Sequence, residues 1–297
     1  MSQFATLANA LQIGGRSLAD AAATAGATPF YAYDRAIMSR TVERLRQVMP
    51  KSLHLHYAIK ANPMPEVVRH FAGLTDGLDV ASAGELAIAL ETGIDPRSIS
   101  FAGPGKSDAD LEAAVRSGVI INMESSGEME RIARLASRFG ARPRVAIRVN
   151  PDFELKASGM KMGGGPKPFG VDAELVPGML EEIASLPVEF MGFHIFSGSQ
   201  NLRPEAIIEA QDKTFELAFR LAESAPGALQ WLNIGGGLGI PYFPGEPPLD
   251  LGEIAANLES LLASAAARLP GAEIVMELGR YLVGEAGVYV CEVIDRK

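Results

Sequence analysis

The sequence is poor in several residue types, and each shortage excludes a class of protein. One cysteine, Cys291, stands in 297 residues, so neither a disulfide framework nor a cysteine-rich metal site is available. There are four histidines, and no His-x-x-x-His pair or acidic cluster has metal-ligand spacing, so no metal centre is expected. Basic residues are outnumbered, with 27 Lys and Arg against 36 Asp and Glu and a net charge of −9. A protein that grips a phosphate backbone carries a basic footprint, so nucleic acid is not an expected partner. No apolar run reaches the roughly 18 residues that span a bilayer. The stretch from Met1 to Leu18 lacks a charged start followed by an apolar core, so neither a signal peptide nor a membrane is expected. These absences point to a cytoplasmic protein. The hydrophobic share of 47% and charged share of 21% are those of an ordinary folded chain, which excludes disorder and fibres.

What the chain does contain is an alternation of two periods. Short apolar or β-branched runs read as strands at Leu53–Lys60, Gly77–Val80, Ser98–Ala102, Val119–Met123, Arg144–Val149, Val188–Phe196, Leu229–Ile234 and Glu273–Glu277. Helical spacing fills the gaps, as at Gly84–Glu91, Asp108–Arg116, Glu128–Phe139, Ala173–Ala184, Pro204–Ala222 and Leu251–Arg268. Asp34–Val48 reads as a helix before the first strand, Ser107 as the cap of the helix that follows it, and no helix is read after the last strand. Strands that alternate with helices require a parallel sheet. Eight such units predict an α/β fold, a (β/α)8 TIM barrel over residues 34–280, with an open doubly wound sheet as the alternative. Residues 1–33 fall outside the barrel. Tyr281–Ile294 alternates and is rich in valine, so it reads as a strand leaving the barrel. Segments 1–33 and 281–297 are together assigned to a second, β-rich domain whose remainder is expected beyond Lys297.

Parallel barrels place their chemistry at the C-terminal ends of the strands. Those ends carry Lys60 and Asn62, Asp79 with Ser82 and Glu85, Lys106, Asn122 and Glu124, Arg148, and His194 with Ser199. Gly235-Gly-Gly237 follows the seventh strand and Glu277-Leu278-Gly279-Arg280 ends the eighth. Lys60 closes an apolar strand; burial disfavours an ammonium, and a neutral amine attacks carbonyl carbon. A lysine at the surface is the other reading. The glycine run could offer bare amides to an anion, with Arg280 adding a charge-assisted contact, although glycine clusters also mark plain turns. It matches neither Gly-x-x-x-x-Gly-Lys nor Gly-x-Gly-x-x-Gly, so a nucleotide is not favoured. Glu277 could pair with Arg280 across a turn or with a protonated ring nitrogen. A phosphate cradle, a carbonyl-accepting lysine and a carboxylate for a pyridinium together describe pyridoxal 5'-phosphate. His194 and Phe196 share a face near the mouth, where they could touch a ring. His54 and His56 alternate along the first strand and read as packing or solvent-facing, His70 as a helix residue, and Cys291 as a structural thiol.

Six stretches carry a resemblance: Tyr57-Ala-Ile-Lys-Ala-Asn62, Gly77-Leu-Asp-Val-Ala-Ser-Ala-Gly-Glu85, Arg148-Val-Asn-Pro151, Gly192-Phe-His-Ile-Phe-Ser-Gly-Ser-Gln200, Asn233-Ile-Gly-Gly-Gly-Leu-Gly-Ile-Pro-Tyr242 and Glu277-Leu-Gly-Arg-Tyr281. In order and spacing they resemble the barrel-type pyridoxal-phosphate decarboxylases, with the alanine-racemase-like fold, that act on ornithine, diaminopimelate and arginine. The diaminopimelate group is the most similar, and Thr28-Pro-Phe-Tyr-Ala-Tyr-Asp34 matches its start. The resemblance implies that Lys60 forms a Schiff base with the cofactor and Glu277 keeps the pyridine nitrogen protonated. It implies that Ser199, Gly235, Gly236, Gly237 and Arg280 hold the phosphate, with Leu278 and Gly279 beside them. Asp79 and Arg148 then shape the pocket, supported by Asn62 and Glu85. A cytoplasmic homodimer is implied, with a small amino-acid substrate, free or bound to a carrier protein.

Some positions depart from the family pattern. Phe196 replaces a histidine that stacks on the cofactor ring; it can stack but not titrate. Asn233 stands for Asp, Leu278 for Pro, and Lys167-Pro-Phe-Gly170 for Ser-Lys-Phe-Gly. These variants are similar to a branch linked with exopolysaccharide or carrier-protein pathways. The family completes its site across the dimer with a Cys-Glu-Ser motif and an aromatic from a C-terminal β domain. Cys291-Glu-Val is not that motif, so the 297 residues are expected to be too short for turnover on their own. Two alternatives remain: a racemase on the same barrel, disfavoured because Pro63-Met-Pro-Glu66 follows Lys60-Ala-Asn62, and a non-catalytic homologue that binds the cofactor or a partner protein.

Overall fold

The computed structural model describes residues 3–153, 160–161 and 167–297. Its centre is eight parallel strands: β1 (Leu53–Ala58), β2 (Gly77–Val80), β3 (Ile99–Phe101), β4 (Ile120–Met123), β5 (Arg144–Asn150), β6 (Glu189–Ile195), β7 (Trp231–Asn233) and β8 (Glu273–Leu278). Each strand pairs in parallel with the next, and β8 pairs with β1. The sheet therefore closes and has no edge, which decides for the (β/α)8 barrel over an open doubly wound sheet. Helices cross between the strands at Pro65–Ala72, Ala83–Glu91, Asp108–Ser117, Ser126–Phe139, Val176–Ile183, Pro204–Ala222 and Gly252–Arg268, with Arg35–Val48 ahead of β1.

Local chemistry explains most of these boundaries. Asp34 accepts from the amides of Ala36 and Ile37 and starts the first barrel helix. Ser107 and Asp110 form a reciprocal capping box. Helix Ser126–Phe139 turns Met129, Ile132 and Ala136 inward at helical spacing. Ile120, Ala146, Met191, Trp231 and Val275, one from each of β4 to β8, make a buried cluster apart from the main core. They alternate with residues that pack under the helices, so they fill the barrel interior.

Four sequence readings need correction. Lys60 is not in a strand: the ladder between β1 and β2 ends at Ala58 opposite Asp79, and Ile59–Ala61 forms a 3₁₀ turn. The fifth crossover helix begins at Val176, not Ala173, because Val171–Asp172 first pairs with β5. A short helix, Arg280–Val283, does follow β8. Of Tyr281–Ile294 only Gly287–Val290 is a strand; it pairs antiparallel with Phe30–Tyr33, so the two flanking segments meet in one small sheet. Thr6–Leu7, Ala10–Ile13 and Arg16–Ser17 form a second antiparallel sheet, while Met1 and Ser2 lie outside the described residues. Among the described residues no helix is long and apolar enough to cross a membrane.

Beside the barrel mouth, Lys106 is sealed from solvent. Its three donors reach the carbonyls of Gly103 (2.8 Å) and Asn122 (2.7 Å) and the carboxylate of Glu128 (2.7 Å). Burial lowers the Lys106 pKa and raises that of Glu128, and each charge opposes the other's shift. A charge stranded in such a place is costly, whereas removal of both is nearly neutral. Lys106→Met is therefore expected to destabilise the fold by about 3–5 kcal/mol, and Lys106→Met with Glu128→Leu to recover most of that loss. Urea unfolding of the two variants measures this; equal losses would mean that the pairing contributes nothing.

Candidate active site

A cavity of about 840 Å³ opens at the C-terminal ends of the strands. Lys60 lies at its edge, one turn beyond β1 and exposed, so the apolar surround expected from sequence is absent on that side. Asp79 enters from β2, Arg148 from β5 and Glu277 from β8. Phe196 and Ser199 come from the segment after β6, where Gly198–Ser199 pairs with Met160–Lys161. Gly237, Leu278, Gly279 and Arg280 complete the set of sequence candidates on the wall.

Glu277 is a buried charge on the cavity wall. Asn233 Nδ2 donates to its Oε2 at 3.1 Å, and His194 Nε2 lies 3.4 Å from the same oxygen, close enough for charge attraction but without hydrogen-bond alignment. Burial alone raises a carboxyl pKa, but the field of His194, joined by Lys60 and Arg148, overcomes it and holds Glu277 well below the usual range. His194 is beneath Glu277 and does not reach the cavity wall. A ring in the cavity therefore meets Phe196 rather than His194.

Arg148 is held from two sides. Its guanidinium bonds Glu124 at 3.0 Å and lies 4.8 Å from the centre of the Phe169 ring. Glu124 also accepts from the amides of Gly103 and Gly170, so one carboxylate ties the loops after β3 and β5 to Arg148. Asp79 accepts from Ser100 Oγ, with His56 Nδ1 at 3.3 Å. Of the two alternatives read for these histidines, His56 takes the packed one, buried against a cavity residue in a contact the sequence did not indicate, while His54 pairs with Glu273 at 3.0 Å near the surface. His70 sits on a helix and touches Ser39 at 3.1 Å.

The glycine run splits into two parts. Gly235 has φ +69° and gives its amide to Asn233 Oδ1. A Cβ on Gly236 would lie 2.1 Å from the Glu277 carbonyl oxygen. Both are glycine because the turn after β7 is squeezed between β6 and β8, and neither lines the cavity. Gly237 does, at φ +91°. Asn62 and Glu85 act on loops: Asn62 Oδ1 accepts from the Met64 amide and Glu85 from that of Ala81.

Gln200 was quoted in a motif but not singled out. It lines the cavity, bonds the carbonyl of Ile240 at 2.6 Å, and accepts from Arg280 at 3.4 Å. Its φ of +56° is unusual for a residue other than glycine, and no sequence signal marks it. Tyr242 is a second wall residue that was passed over, 5.7 Å from the Arg280 guanidinium. Among the described residues no cluster could hold a metal ion.

The donor set suits one kind of guest: an amine and a carboxylate face a closed wall, with a guanidinium, a hydroxyl and a glycine backbone at its rim. A sequence profile described as pyridoxal-dependent decarboxylase, pyridoxal binding domain, matches residues 35–284. The chain belongs to this family. The L-glutamyl-[BtrI acyl-carrier protein] decarboxylase of Niallia circulans is 37% identical over 273 residues, which cover 91% of this chain and 64% of that relative. The diaminopimelate decarboxylase of Aquifex aeolicus is 35% identical over 290 residues, covering 95% of this chain and 66% of that protein. The chain thus spans just under two thirds of the length of those relatives. Among solved structures, Helicobacter pylori diaminopimelate decarboxylase complexed with L-lysine matches with a TM-score of 0.80 at 29% identity, covering 91% of this chain and 68% of that one. The M. jannaschii enzyme in co-complex with L-lysine gives 0.84 at 26%, covering 96% and 68%.

The Glu277 environment yields a pH prediction for this domain. A carboxyl whose pKa is depressed on folding stabilises the fold fully above its ordinary value of 4.5, and that contribution is lost as pH falls through the folded value. Glu277→Gln is expected to cost about 2 kcal/mol at pH 7. The gap from the wild type should shrink as pH drops below 4.5. Denaturant unfolding across that range checks it; a gap that stays constant would sever the stabilisation from the charge.

Proposed function

We propose that this domain decarboxylates an amino acid with pyridoxal phosphate as cofactor, and that Lys60 and Glu277 do the work. The reading rests on the meeting of Lys60, Asp79, Arg148 and Glu277 in one cavity at the catalytic end of a barrel whose family binds pyridoxal. Pyridoxal phosphate, when bound, supplies an electron-poor ring that accepts the electron pair left as carbon dioxide departs. Lys60 offers a primary amine at the cavity edge, where it would hold the cofactor through its aldehyde carbon, with loss of water, and would take up or return a proton at Nζ. Glu277, kept anionic by its surroundings, holds a proton on the ring nitrogen. Ser199, Gly237 and Arg280 face the phosphate, with Gly235 and Gly236 shaping the turn, and Leu278 and Gly279 lie against the cofactor. Phe196 packs on a ring face and keeps water from it. Asp79 and Arg148 set the charge pattern that a substrate's amino and carboxylate groups meet.

The relatives' names support an amino-acid substrate, either free or attached to an acyl-carrier protein. We further assign 34–280 as the unit that carries the site and the joined segments 1–33 and 281–297 as part of a β-rich module. A homodimer in the cytoplasm completes the reading, in keeping with an exposed free cysteine, Cys291, suited to a reducing compartment.

Addition of pyridoxal phosphate to the protein is expected to give a visible absorbance band, and borohydride to fix a pyridoxyl mass on Lys60. Lys60→Ala should lose both. A band that survives this substitution unchanged would remove Lys60 from its role. Carbon dioxide release across a panel of free and carrier-bound amino acids identifies the substrate. Interconversion of enantiomers in place of release would favour the racemase, and binding without either reaction the non-catalytic homologue.

A further inference from the structure

Four adjacent strands each contribute one polar side chain to a line across the barrel interior: His56 from β1, Asp79 from β2, Ser100 from β3 and Asn122 from β4. His56 is 2% exposed and Ser100 and Asn122 are fully buried. Asn122 Nδ2 donates to Ser100 Oγ at 3.3 Å, Ser100 Oγ donates to Asp79 Oδ1, and His56 Nδ1 lies 3.3 Å from that same oxygen. The far end of the line is pinned, because Lys106 bonds the Asn122 carbonyl at 2.7 Å. Asp79 Oδ1 thus receives the Ser100 hydroxyl and stands beside His56 Nδ1, while the buried Oδ2 has no hydrogen-bond partner among the described residues. The imidazole is wedged as well. Gly77 stands opposite it on β2, and a Cβ there would lie 2.3 Å from His56 Nε2.

We propose that His56 is a positioning residue for Asp79: together with Ser100 it fixes one carboxylate oxygen inside the barrel and so presents the other to a cation in the cavity. The inference deepens the reading of the cavity as an active site and rests on it. Buried polar groups that lack partners are costly, so a carboxylate with one saturated and one unpartnered oxygen is arranged to receive a donor. The Lys60 ammonium and a substrate ammonium are donors of that kind. A carboxylate without the His56 contact can rotate, and a misplaced charge beside a reacting group lowers efficiency by roughly ten- to hundredfold.

Two measurements test this. The protein has four histidines, so nitrogen NMR of the chain without cofactor can resolve each ring, with His56 assigned by its loss in His56→Asn. The expected signature is a protonated Nδ1 that shifts in Asp79→Asn. A ring protonated only at Nε2 would overturn the proposal, whatever the cavity binds. The second measurement is the affinity for pyridoxal phosphate, read by absorbance titration. His56→Leu should weaken it roughly tenfold, and His56→Asn, whose amide can donate from near the Nδ1 position, should restore most of it. In an Asp79→Ala background His56→Leu should add nothing. A loss that adds in full to that of Asp79→Ala would show a role in packing alone and overturn the proposal. Should His56→Leu fail to fold, the NMR signature and the His56→Asn variant decide. A wild-type chain that binds no pyridoxal phosphate would sink the active-site reading instead, with the contact to Asp79 still decided by the NMR.

Discussion

Five register pairs between β8 and β1, from Ile274 opposite Leu53 to Leu278 opposite Tyr57, join strands more than two hundred residues apart in the chain. They close the sheet, and everything at the mouth depends on that closure. Glu277 faces His56 across this seam, and Lys60 follows one turn beyond it. Without the seam the amine and the carboxylate would belong to opposite edges of an open sheet. Parallel ladders made of distant strands return nothing until the long loops have closed. The chain therefore builds its site only as the last step of its topology.

Closure also forces polar chemistry into a confined space. Charges taken out of water are costly unless partners replace the lost hydration. Here the partners come from nearby strands, loops and one helix: Arg148 with Glu124, Lys106 with Glu128, Glu277 with Asn233 and His194, and Asp79 with Ser100 and His56. The pairs are not interchangeable. Lys106 and Glu128 use their groups on each other and on backbone, which ties loops together. Asp79, Arg148 and Glu277 keep a side turned to the cavity. Rigid support below and open valence above are thus supplied by the same network.

The barrel could be read in the sequence because its strands are buried on both faces and its helices on one, so the two periods stand apart. The rim residues Lys60, Asp79, Arg148 and Glu277 were visible because strand ends can be counted. What escaped had a physical cause in each case. His54 and His56 alternate with Leu53, Leu55 and Tyr57, which left packing and solvent open for both; in the closed barrel His54 stays near the surface while His56, two residues on, turns inward against Asp79. Glu124 was counted among the strand ends, but its tie to Arg148, 24 residues on, was not, and Gln200 acts through Ile240, 40 residues away; no local pattern records such distances. The short helix Arg280–Val283 escaped because four residues carry no period. The glycine run was seen, but only Gly237 reaches the cavity; tight packing against Glu277 and Phe196 accounts for the others.

Phe196 is a wall of the cavity and Gly235 is bare partly because a Cβ there would press within 2.9 Å of its ring. A phenyl ring has no hydrogen that exchanges with water. At that position the chamber surface is therefore silent in any traffic of protons, and acid and base must be drawn from other wall residues, Lys60, Asp79 and Glu277 among them. Phe196 thus gives the chamber one patch of contact alone amid walls that carry charge and hydrogen-bonding groups.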